Sequence, residues 1–290
     1  MKKILTTSFA LSLFPLLMAQ SGKIFDNLSM PSKILKMDRK YAIYLPPDYE
    51  TSSRSYPVLY LLHGSGDDQT GWVQFGEVQY IADKAINEGM ATPMIIVMPD
   101  ANTGRRGYVN TPQGDWLYED FFFQEFMPFI EKTYRIKAEK HYRAVAGLSM
   151  GGHGTFIFAL HRPDLFAAAC PLSAATGPRT REDTRFEDGV TEAQKEEYFK
   201  KYSVLDMIES IPDETIKSTS PEDQIKKVRW YIDCGDDDFL FEGNALVHIA
   251  MRKKGIAHEY RVRDGVHNWV YWRASLPKVL EFVTMDFHQF

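Results

Sequence analysis

A serine between two glycines, followed by a helix-forming stretch, is the most informative chemical feature of this sequence. Gly147-x-Ser149-x-Gly151 follows a run of small apolar residues and precedes a predicted helix, Thr155–His161. This strand–turn–helix context is that of a nucleophile elbow, in which a sharp turn exposes the serine hydroxyl. Glycine is needed on both sides because a Cβ there would collide with the neighbouring strand and helix. Ser149 is therefore the candidate nucleophile, and the Met150 N–H a candidate oxyanion donor.

The base and acid that a serine nucleophile needs are found later in the chain. After an elbow of this kind, the acid comes first along the chain and the histidine last. Asp236, Asp237 and Asp238 follow a predicted strand, and His267 follows the last predicted strand. The order predicts His267 as base and Asp238 as acid, with Asp237 as the alternative. Asp236, beside Gly235, is predicted to bind the turn.

A glycine-containing loop after a buried apolar run is the second candidate source of oxyanion donors. His63-Gly64-Ser65-Gly66 resembles the loop that supplies such a donor in hydrolases with an elbow. Ser65 is the predicted donor and Gly66 the alternative. The side chain of His63 is predicted to be structural. His153 is predicted to pack on the elbow helix, since it lies only four residues from Ser149.

Three tryptophans lie in loops near the proposed reaction centre. Trp72 follows the glycine-containing loop, Trp116 follows the strand Met94–Met98, and Trp269 follows His267. Ligands of parallel α/β sheets bind at the carboxyl ends of the strands. The sequence therefore predicts that Trp72, Trp116 and Trp269 bind substrate, as an aromatic wall that stacks on a sugar ring or a phenolic group.

Strand-like and helix-like segments alternate along most of the chain. Short apolar runs predict buried strands of a parallel sheet, and amphipathic stretches predict helices. The main predicted elements are strands at Arg39–Leu45, Tyr56–Leu62, Met94–Met98, Phe166–Leu172, Val228–Cys234 and His258–Val262, and helices at Val78–Glu88, Phe121–Tyr134, Glu242–Lys254 and Leu276–Phe287. Gln20–Met37 is predicted to contain short strand-like pieces, with Pro31 marking a turn. This alternation predicts an α/β fold with a mostly parallel, doubly wound sheet and helices on both faces.

One segment interrupts this alternation. Residues 174–222 are charged and contain Gly177-Pro178 and Ile211-Pro212, with a predicted helix near Thr191–Tyr202. A polar segment of this length inside a regular α/β pattern is more typical of a cap than of a linker. The sequence therefore predicts a domain over 20–290 that carries a cap-like insertion at about 174–222.

The N-terminus has the pattern of a secretory signal peptide. Lys2 and Lys3 precede an apolar stretch, Ile4–Met18, which is too short to span a membrane, and Ala19 precedes the predicted cleavage site. Removing residues 1–19 takes away two lysines and moves the net charge from −5 to −7. The sequence predicts a secreted or periplasmic protein, and its acidity argues against nucleic acid or anionic membranes as partners.

The two cysteines, Cys170 and Cys234, are too few for a disulfide scaffold. Both lie in strand-like runs and are predicted to be buried free thiols, with a disulfide between them as the alternative. The sequence contains no metal-ligand spacing such as C-x-x-C or H-E-x-x-H. We therefore expect neither a metal nor a cofactor.

Several motifs together resemble the esterase D-like branch of α/β-hydrolases, especially secreted family 1 carbohydrate esterases. The motifs extend from about residue 33 to the end of the chain. They are Tyr41-x-x-Tyr44-Leu45-Pro46-Pro47-x-Tyr49, Leu61-Leu62-His63-Gly64-x-Gly66, Phe129-Ile130-Glu131-x-x-Tyr134, Gly147-Leu148-Ser149-Met150-Gly151-Gly152, Cys234-Gly235-x-x-Asp238 and Gly265-x-His267-x-Trp269-x-x-Trp272. The resemblance implies Ser149, Asp238 and His267 as the triad, and Ser65 and Met150 as oxyanion donors.

The candidate triad and the signal peptide predict a secreted serine ester hydrolase, and the resemblance implies that it acts on plant cell-wall carbohydrate esters, most specifically as a feruloyl esterase. The alternatives are an acetylxylan esterase, a thioesterase similar to S-formylglutathione hydrolase, and a non-catalytic carbohydrate-binding relative. A cytosolic thioester substrate fits poorly with a signal peptide, and an intact triad argues against a non-catalytic protein.

Overall fold

One eight-stranded sheet forms the centre of the protein. The structure is a computed structural model that describes residues 21–101, 107–176, 186, 188–212 and 221–288. The strands are β1 (Lys23–Ser32), β2 (Met37–Leu45), β3 (Val58–Leu62), β4 (Ile95–Pro99), β5 (Arg143–Leu148), β6 (Ala168–Leu172), β7 (Arg229–Gly235) and β8 (His258–Arg263). Their order is β1-β2-β4-β3-β5-β6-β7-β8. β1 and β2 are antiparallel to each other, β2 is antiparallel to β4, and β3 to β8 run parallel. The mostly parallel α/β sheet confirms the predicted fold class.

Helices cover both faces of this sheet. They are α1 (Gly71–Gln74), α2 (Val78–Asn87), α3 (Tyr118–Phe121), α4 (Met127–Thr133), α5 (Met150–His161), α6 (Glu192–Tyr202), α7 (Val204–Glu209), α8 (Pro221–Lys226), α9 (Phe241–Lys253) and α10 (Trp269–Phe287). A π-helical turn, Phe122–Phe126, joins α3 to α4, so the predicted helix Phe121–Tyr134 is one helical stretch with a wider turn inside it. Within the described ranges, none of the helices combines the length and the apolar character needed to cross a bilayer.

The buried side chains form one core on each face of the sheet. In β3, Val58, Tyr60 and Leu62 pack into one core, and Leu59 and Leu61 into the other. α3–α5 and α9 contribute to the first core, whereas α2 and α10 contribute to the second. Burial on both faces explains why the central strands are continuous apolar runs in the sequence.

Several predicted boundaries differ from the structure by a few residues, and three of the differences have an evident physical setting. Pro31 lies inside β1 and not in a turn, because an edge strand tolerates a residue without an N–H donor. α5 starts at Met150, immediately after the serine, and not at Thr155. α10 starts at Trp269 and not at Leu276, because the Asn268 side chain caps it by accepting the Tyr271 N–H at 3.0 Å.

Three further predictions concern the two cysteines, the N-terminal residues 1–19 and the insertion at 174–222. Cys170 and Cys234 are buried and free, which confirms the thiol prediction, and burial raises the pKa of both. The predicted signal peptide, 1–19, lies outside the described residues. The described part of 174–222 contains α6 and α7, and a capping box formed by Thr191 and Gln194 starts α6. The assignment of this segment as a cap stays a prediction.

A buried carboxylate joins the elements that carry the proposed acid and base. Asp233, in β7, has no exposed surface and accepts hydrogen bonds from Tyr231 Oη at 2.9 Å, Arg263 Nη2 at 2.8 Å, and Tyr271 Oη. Its backbone carbonyl also accepts the Ser173 N–H at 2.7 Å. These bonds tie β7 to β8, to the start of α10 and to the end of β6.

We expect Asp233→Ala to lower the free energy of unfolding by about 3–5 kcal/mol, because it leaves a partly buried guanidinium without its carboxylate. Urea unfolding followed by circular dichroism measures this loss. The matched control is Asp264→Ala, at an exposed carboxylate, which should stay within about 0.5 kcal/mol of the wild type. Equal stability of Asp233→Ala and the wild type would contradict the structural role.

Candidate active site

Ser149 occupies a strained turn between β5 and α5. Its backbone angles are φ 55° and ψ −114°, a conformation that residues with a Cβ rarely adopt. The Ser149 N–H donates to the Leu172 carbonyl of β6 at 2.9 Å, and its own carbonyl accepts the Ala175 N–H at 3.0 Å. The turn is thus fixed from the neighbouring strand, and the geometry is that of the predicted elbow.

The glycines on either side of Ser149 are required by close packing. A Cβ on Gly147 would lie 2.5 Å from the Gly151 carbonyl oxygen and 2.7 Å from the Leu62 Cβ. A Cβ on Gly151 would lie 2.5 Å from the Leu62 carbonyl oxygen. Neither contact is possible without moving the backbone, so the glycine spacing allows the elbow to pack against β3.

Three predicted residues form one chain of hydrogen bonds. The Ser149 Oγ lies 2.9 Å from His267 Nε2, and His267 Nδ1 lies 2.8 Å from the Asp238 Oδ2. A carboxylate can only accept, so the Nδ1 carries the proton and Nε2 is left to accept from the serine hydroxyl. The structure thus brings together a serine hydroxyl, an imidazole and a carboxylate in the arrangement that a nucleophile, a base and an orienting acid require.

Asp238 is held in the ionised form by its hydrogen bonds. Burial by itself would raise the pKa of this carboxyl, but hydrogen bonds from His267, from the Leu240 N–H and from Ser173 outweigh it and hold the pKa below its usual range. The Leu240 N–H donates to Oδ1 at 2.8 Å, so both carboxylate oxygens have partners. A negative charge fixed beside the imidazole favours the imidazolium that forms when the base takes a proton.

The two neighbouring aspartates differ in their surroundings. Asp236 Oδ1 accepts the N–H of Asp237 and the N–H of Gly265, each at 3.1 Å, so it binds the turn as expected. Asp237 is exposed. Among the described residues, Asp236, Asp237 and Asp264 place carboxylate oxygens within 4.8 Å of one another. These carboxylates are exposed, and Asp236 already serves the turn, so we assign them no metal.

The glycine-containing loop lies directly against Ser149. A Cβ on Gly64 would lie 3.5 Å from the Ser149 Cβ and 2.6 Å from the Leu148 Cδ1. Ser65 and Gly66 are exposed after this contact, and Gly66 has a positive φ of 81°. Met150 starts α5, where the backbone N–H groups have no partner within the helix. One predicted donor, Ser65, thus follows the glycine that packs against Ser149, and the other, Met150, directly follows Ser149 in the chain.

His63 has a structural role that also orients the loop. The ring is buried, its Nδ1–H donates to the Gly64 carbonyl at 2.8 Å, and its Nε2 accepts the Ala101 N–H at 2.9 Å. Burial lowers the pKa of His63, which favours this neutral form. The carbonyl and N–H of one trans peptide point in opposite directions, so holding the Gly64 carbonyl directs the Ser65 N–H away from the ring.

His153 is also placed as expected. Its Nε2–H donates to the Tyr202 carbonyl at 2.8 Å, and burial lowers its pKa. The ring therefore joins the elbow helix α5 to the end of α6.

Two of the three predicted substrate-binding tryptophans are in the core. The side chain of Trp72 is 0% exposed, and its Nε1–H donates to the Leu62 carbonyl at 3.0 Å. Trp116 is 1% exposed, and its Nε1–H donates to the Gly107 carbonyl at 2.8 Å. The predicted contact of these two rings with substrate is wrong, because neighbouring side chains enclose both. Trp269 is only partly buried, and its role stays a prediction.

Two aromatic side chains near the site, Phe239 and Phe75, are not predicted from the sequence. Phe239 is 66% exposed, and its ring centroid lies 4.5 Å from that of His267. Phe75 is half-exposed and contacts Trp269, with 5.9 Å between the ring centroids. Phe239 directly follows the proposed acid in the chain, and this adjacency is the signal that could have identified it.

Most of the chain matches one family of known proteins. The Esterase family model matches residues 32–283. The chain belongs to this family. Its membership confirms the resemblance to esterase D-like α/β-hydrolases, and the matched residues include every site residue discussed above.

Two curated relatives match about half of this chain. Over 140 residues the chain is 39% identical to an esterase of Mycobacterium tuberculosis, a match that covers 47% of this chain and 28% of that protein. Over 143 residues it is 36% identical to an endo-1,4-beta-xylanase/feruloyl esterase of Xylanibacter ruminicola, covering 46% of this chain and 19% of that protein. The matched segment thus spans less than a third of the length of these curated relatives.

Solved structures share the whole fold. A ferulic acid esterase superposes with a TM-score of 0.81 and 35% sequence identity, covering 93% of this chain and 100% of that one. An S-formylglutathione hydrolase of Staphylococcus aureus superposes with a TM-score of 0.66 and 21% identity, covering 90% and 99% of the two chains. The second similarity shows the shared fold alone.

Proposed function

We propose that this protein is a secreted serine ester hydrolase that removes feruloyl groups from plant cell-wall carbohydrates. The observation that carries the proposal is the hydrogen-bonded chain from Ser149 Oγ through His267 to Asp238, with distances of 2.9 and 2.8 Å. The 35% identity to a ferulic acid esterase, over nearly the whole chain, supports the feruloyl group as the acyl part. The predicted signal peptide supports secretion.

The proposed reaction has two halves that share one acyl-enzyme. Ser149 Oγ attacks the ester carbonyl while His267 Nε2 takes its proton, and the oxyanion accepts hydrogen bonds from the Ser65 and Met150 N–H groups. His267 then gives the proton to the alcohol oxygen as its bond to the carbonyl carbon breaks. In the second half, His267 takes a proton from water as the water oxygen attacks the acyl carbon, and then gives this proton to Ser149 Oγ as the bond between Oγ and that carbon breaks, which releases the carboxylic acid and restores the serine.

A substrate panel tests the acyl group and the class of reaction. Methyl ferulate, acetylated xylan, p-nitrophenyl acetate and S-formylglutathione are compared by kcat/KM. We expect methyl ferulate to be cleaved with the highest kcat/KM of the four. Efficient deacetylation of xylan without ferulate release would make the protein an acetylxylan esterase, and selective cleavage of S-formylglutathione a thioesterase. Carbohydrate binding with no cleavage of any ester would make it a non-catalytic relative.

His63 offers a test of the oxyanion loop. An asparagine places an amide N–H near the position of Nδ1, whereas a glutamine reaches the position of Nε2 and does not replace the bond to the Gly64 carbonyl. We therefore expect His63→Gln to lower kcat by about 10²-fold, the usual effect of one lost oxyanion donor, and His63→Asn to lower it by less than about tenfold. Steady-state kinetics on methyl ferulate, with folding checked by circular dichroism, measures both. Equal losses would mean that His63 supports the fold and not the Ser65 N–H.

A further inference from the structure

A continuous run of ring contacts passes through the proposed base. Ring centroids are 5.9 Å apart for Phe75 and Trp269, and 5.3 Å apart for Trp269 and Trp272. They are 4.9 Å apart for Trp272 and His267, and 4.5 Å apart for His267 and Phe239. We call these five residues the aromatic run. It joins the end of α1, the start of α10 and the turn after β7.

The aromatic run is buried in its middle and exposed at both ends. Trp272 is buried, whereas Phe75 is 50% exposed and Phe239 is 66% exposed. Two further apolar side chains beside His267 and Trp269 in the chain, Val266 and Val270, are also exposed. A group of exposed apolar side chains next to a reaction centre indicates a surface that meets a ligand.

The direction of proton transfer decides which half of the ester this surface meets. In the proposed reaction, His267 must deliver its proton to the oxygen of the departing alcohol. The alcohol therefore leaves beside the His267 ring, and the acyl group stays on Ser149. Side chains in contact with the exposed side of the His267 ring face the alcohol and not the acyl group.

We propose that the exposed rings of the aromatic run, Phe239 and Phe75, bind the alcohol half of the substrate, which is a sugar in a carbohydrate ester. This proposal rests on the ester hydrolysis proposed above and adds to it a binding surface for the carbohydrate. The C–H face of a sugar is apolar and weakly positive, so it packs against the negative face of an aromatic ring. Phe239 contacts the His267 ring and meets the esterified sugar. Phe75, at the other end of the aromatic run and four ring contacts from Phe239, meets a second sugar beyond the esterified one.

Esters that share an acyl group but differ in their alcohol show whether these rings bind the alcohol half or the acyl half of the substrate. Methyl ferulate, feruloyl-arabinose and a feruloylated arabinoxylan oligosaccharide all form the same acyl-enzyme. We expect Phe239→Ala to lower kcat/KM about tenfold on the two sugar esters and less than about twofold on methyl ferulate. Phe75→Ala should lower kcat/KM on the oligosaccharide ester only. The deacylation rate, measured from a single acyl-enzyme, should not change in either variant.

The control is Tyr80→Ala, which removes an aromatic side chain of the same 66% exposure from α2 and should leave all three esters unaffected. Equal losses on methyl and sugar esters would overturn the proposal, because a methyl ester has no sugar to bind. Unchanged kcat/KM on the sugar esters in both phenylalanine variants would overturn it as well. The same series is made with acetyl esters, so that a wrong acyl assignment is distinguished from a wrong alcohol site. A wild-type protein that cleaves neither series overturns the proposed function, and this surface with it.

Discussion

Ser149→Ala is expected to lower kcat by at least about 10³-fold while leaving the protein folded. The substitution removes only the Oγ that lies 2.9 Å from His267 Nε2. It keeps the Cβ, so the turn between β5 and α5 and its hydrogen bond to the Leu172 carbonyl stay as they are. The remaining rate would come from substrate binding and from the oxyanion donors alone.

Kinetics on p-nitrophenyl acetate and methyl ferulate measure this loss, with thermal unfolding as the check on the fold. Ser29→Ala, at an exposed serine of the edge strand β1, makes the same chemical change and should retain wild-type kcat. A fluorophosphonate should add one mass increment to the wild type and none to Ser149→Ala. A folded Ser149→Ala variant within about tenfold of the wild-type kcat would rule out this serine as the nucleophile.

The elbow could be predicted from the sequence because its requirements are local. Gly147 and Gly151 are set by backbone contacts that no residue with a Cβ can make. The apolar runs that became β3 to β7 are also local signals, since a strand buried on both faces consists mostly of apolar residues. Where a turn requires particular residue types at a fixed spacing, its geometry can be predicted directly from the sequence.

The exposure of single side chains could not be predicted in this way. Trp72 and Trp116 lie in the region of chain where substrate-contacting residues were expected, yet both are enclosed by the core. Phe239 lies beside Asp238 and is largely exposed. Burial depends on which residues from distant parts of the chain surround a ring, and short sequence patterns do not identify those residues.

The sequence patterns also do not predict the start of α10 at Trp269, for a related reason. Asn268 caps the helix, but the chemistry expected of His267 and Trp269, on either side of it, favours a loop at this point of the sequence. The start of α10 therefore also positions His267, the proposed base, which directly precedes the capping residue. Capping by Asn268 fixes the backbone directly after His267, so the fold itself helps to position the imidazole.

Asp238→Asn is expected to lower kcat on the order of 10⁴-fold, far more than Asp237→Asn. An asparagine can present its amide N–H to His267 Nδ1, which favours the tautomer with the proton on Nε2. That tautomer cannot accept the proton of Ser149, and no negative charge remains to stabilise the imidazolium. Asp237 is exposed and one residue away, so Asp237→Asn makes the same chemical change without touching the ring. It should keep kcat within about threefold of the wild type.

The pH dependence of stability gives Asp238→Asn a second, independent readout. The hydrogen bonds to Asp238 depress its pKa in the folded state. Its carboxylate therefore contributes stability that is present above the unfolded pKa of about 3.9 and is lost as the pH falls through the folded pKa. The wild type should lose stability over this acidic range more steeply than Asp238→Asn, whereas Asp237→Asn should follow the wild type. Kinetics and acid unfolding of the two variants measure both effects. If Asp237→Asn proves the more damaging change to kcat, the acid of the triad is the residue before Asp238.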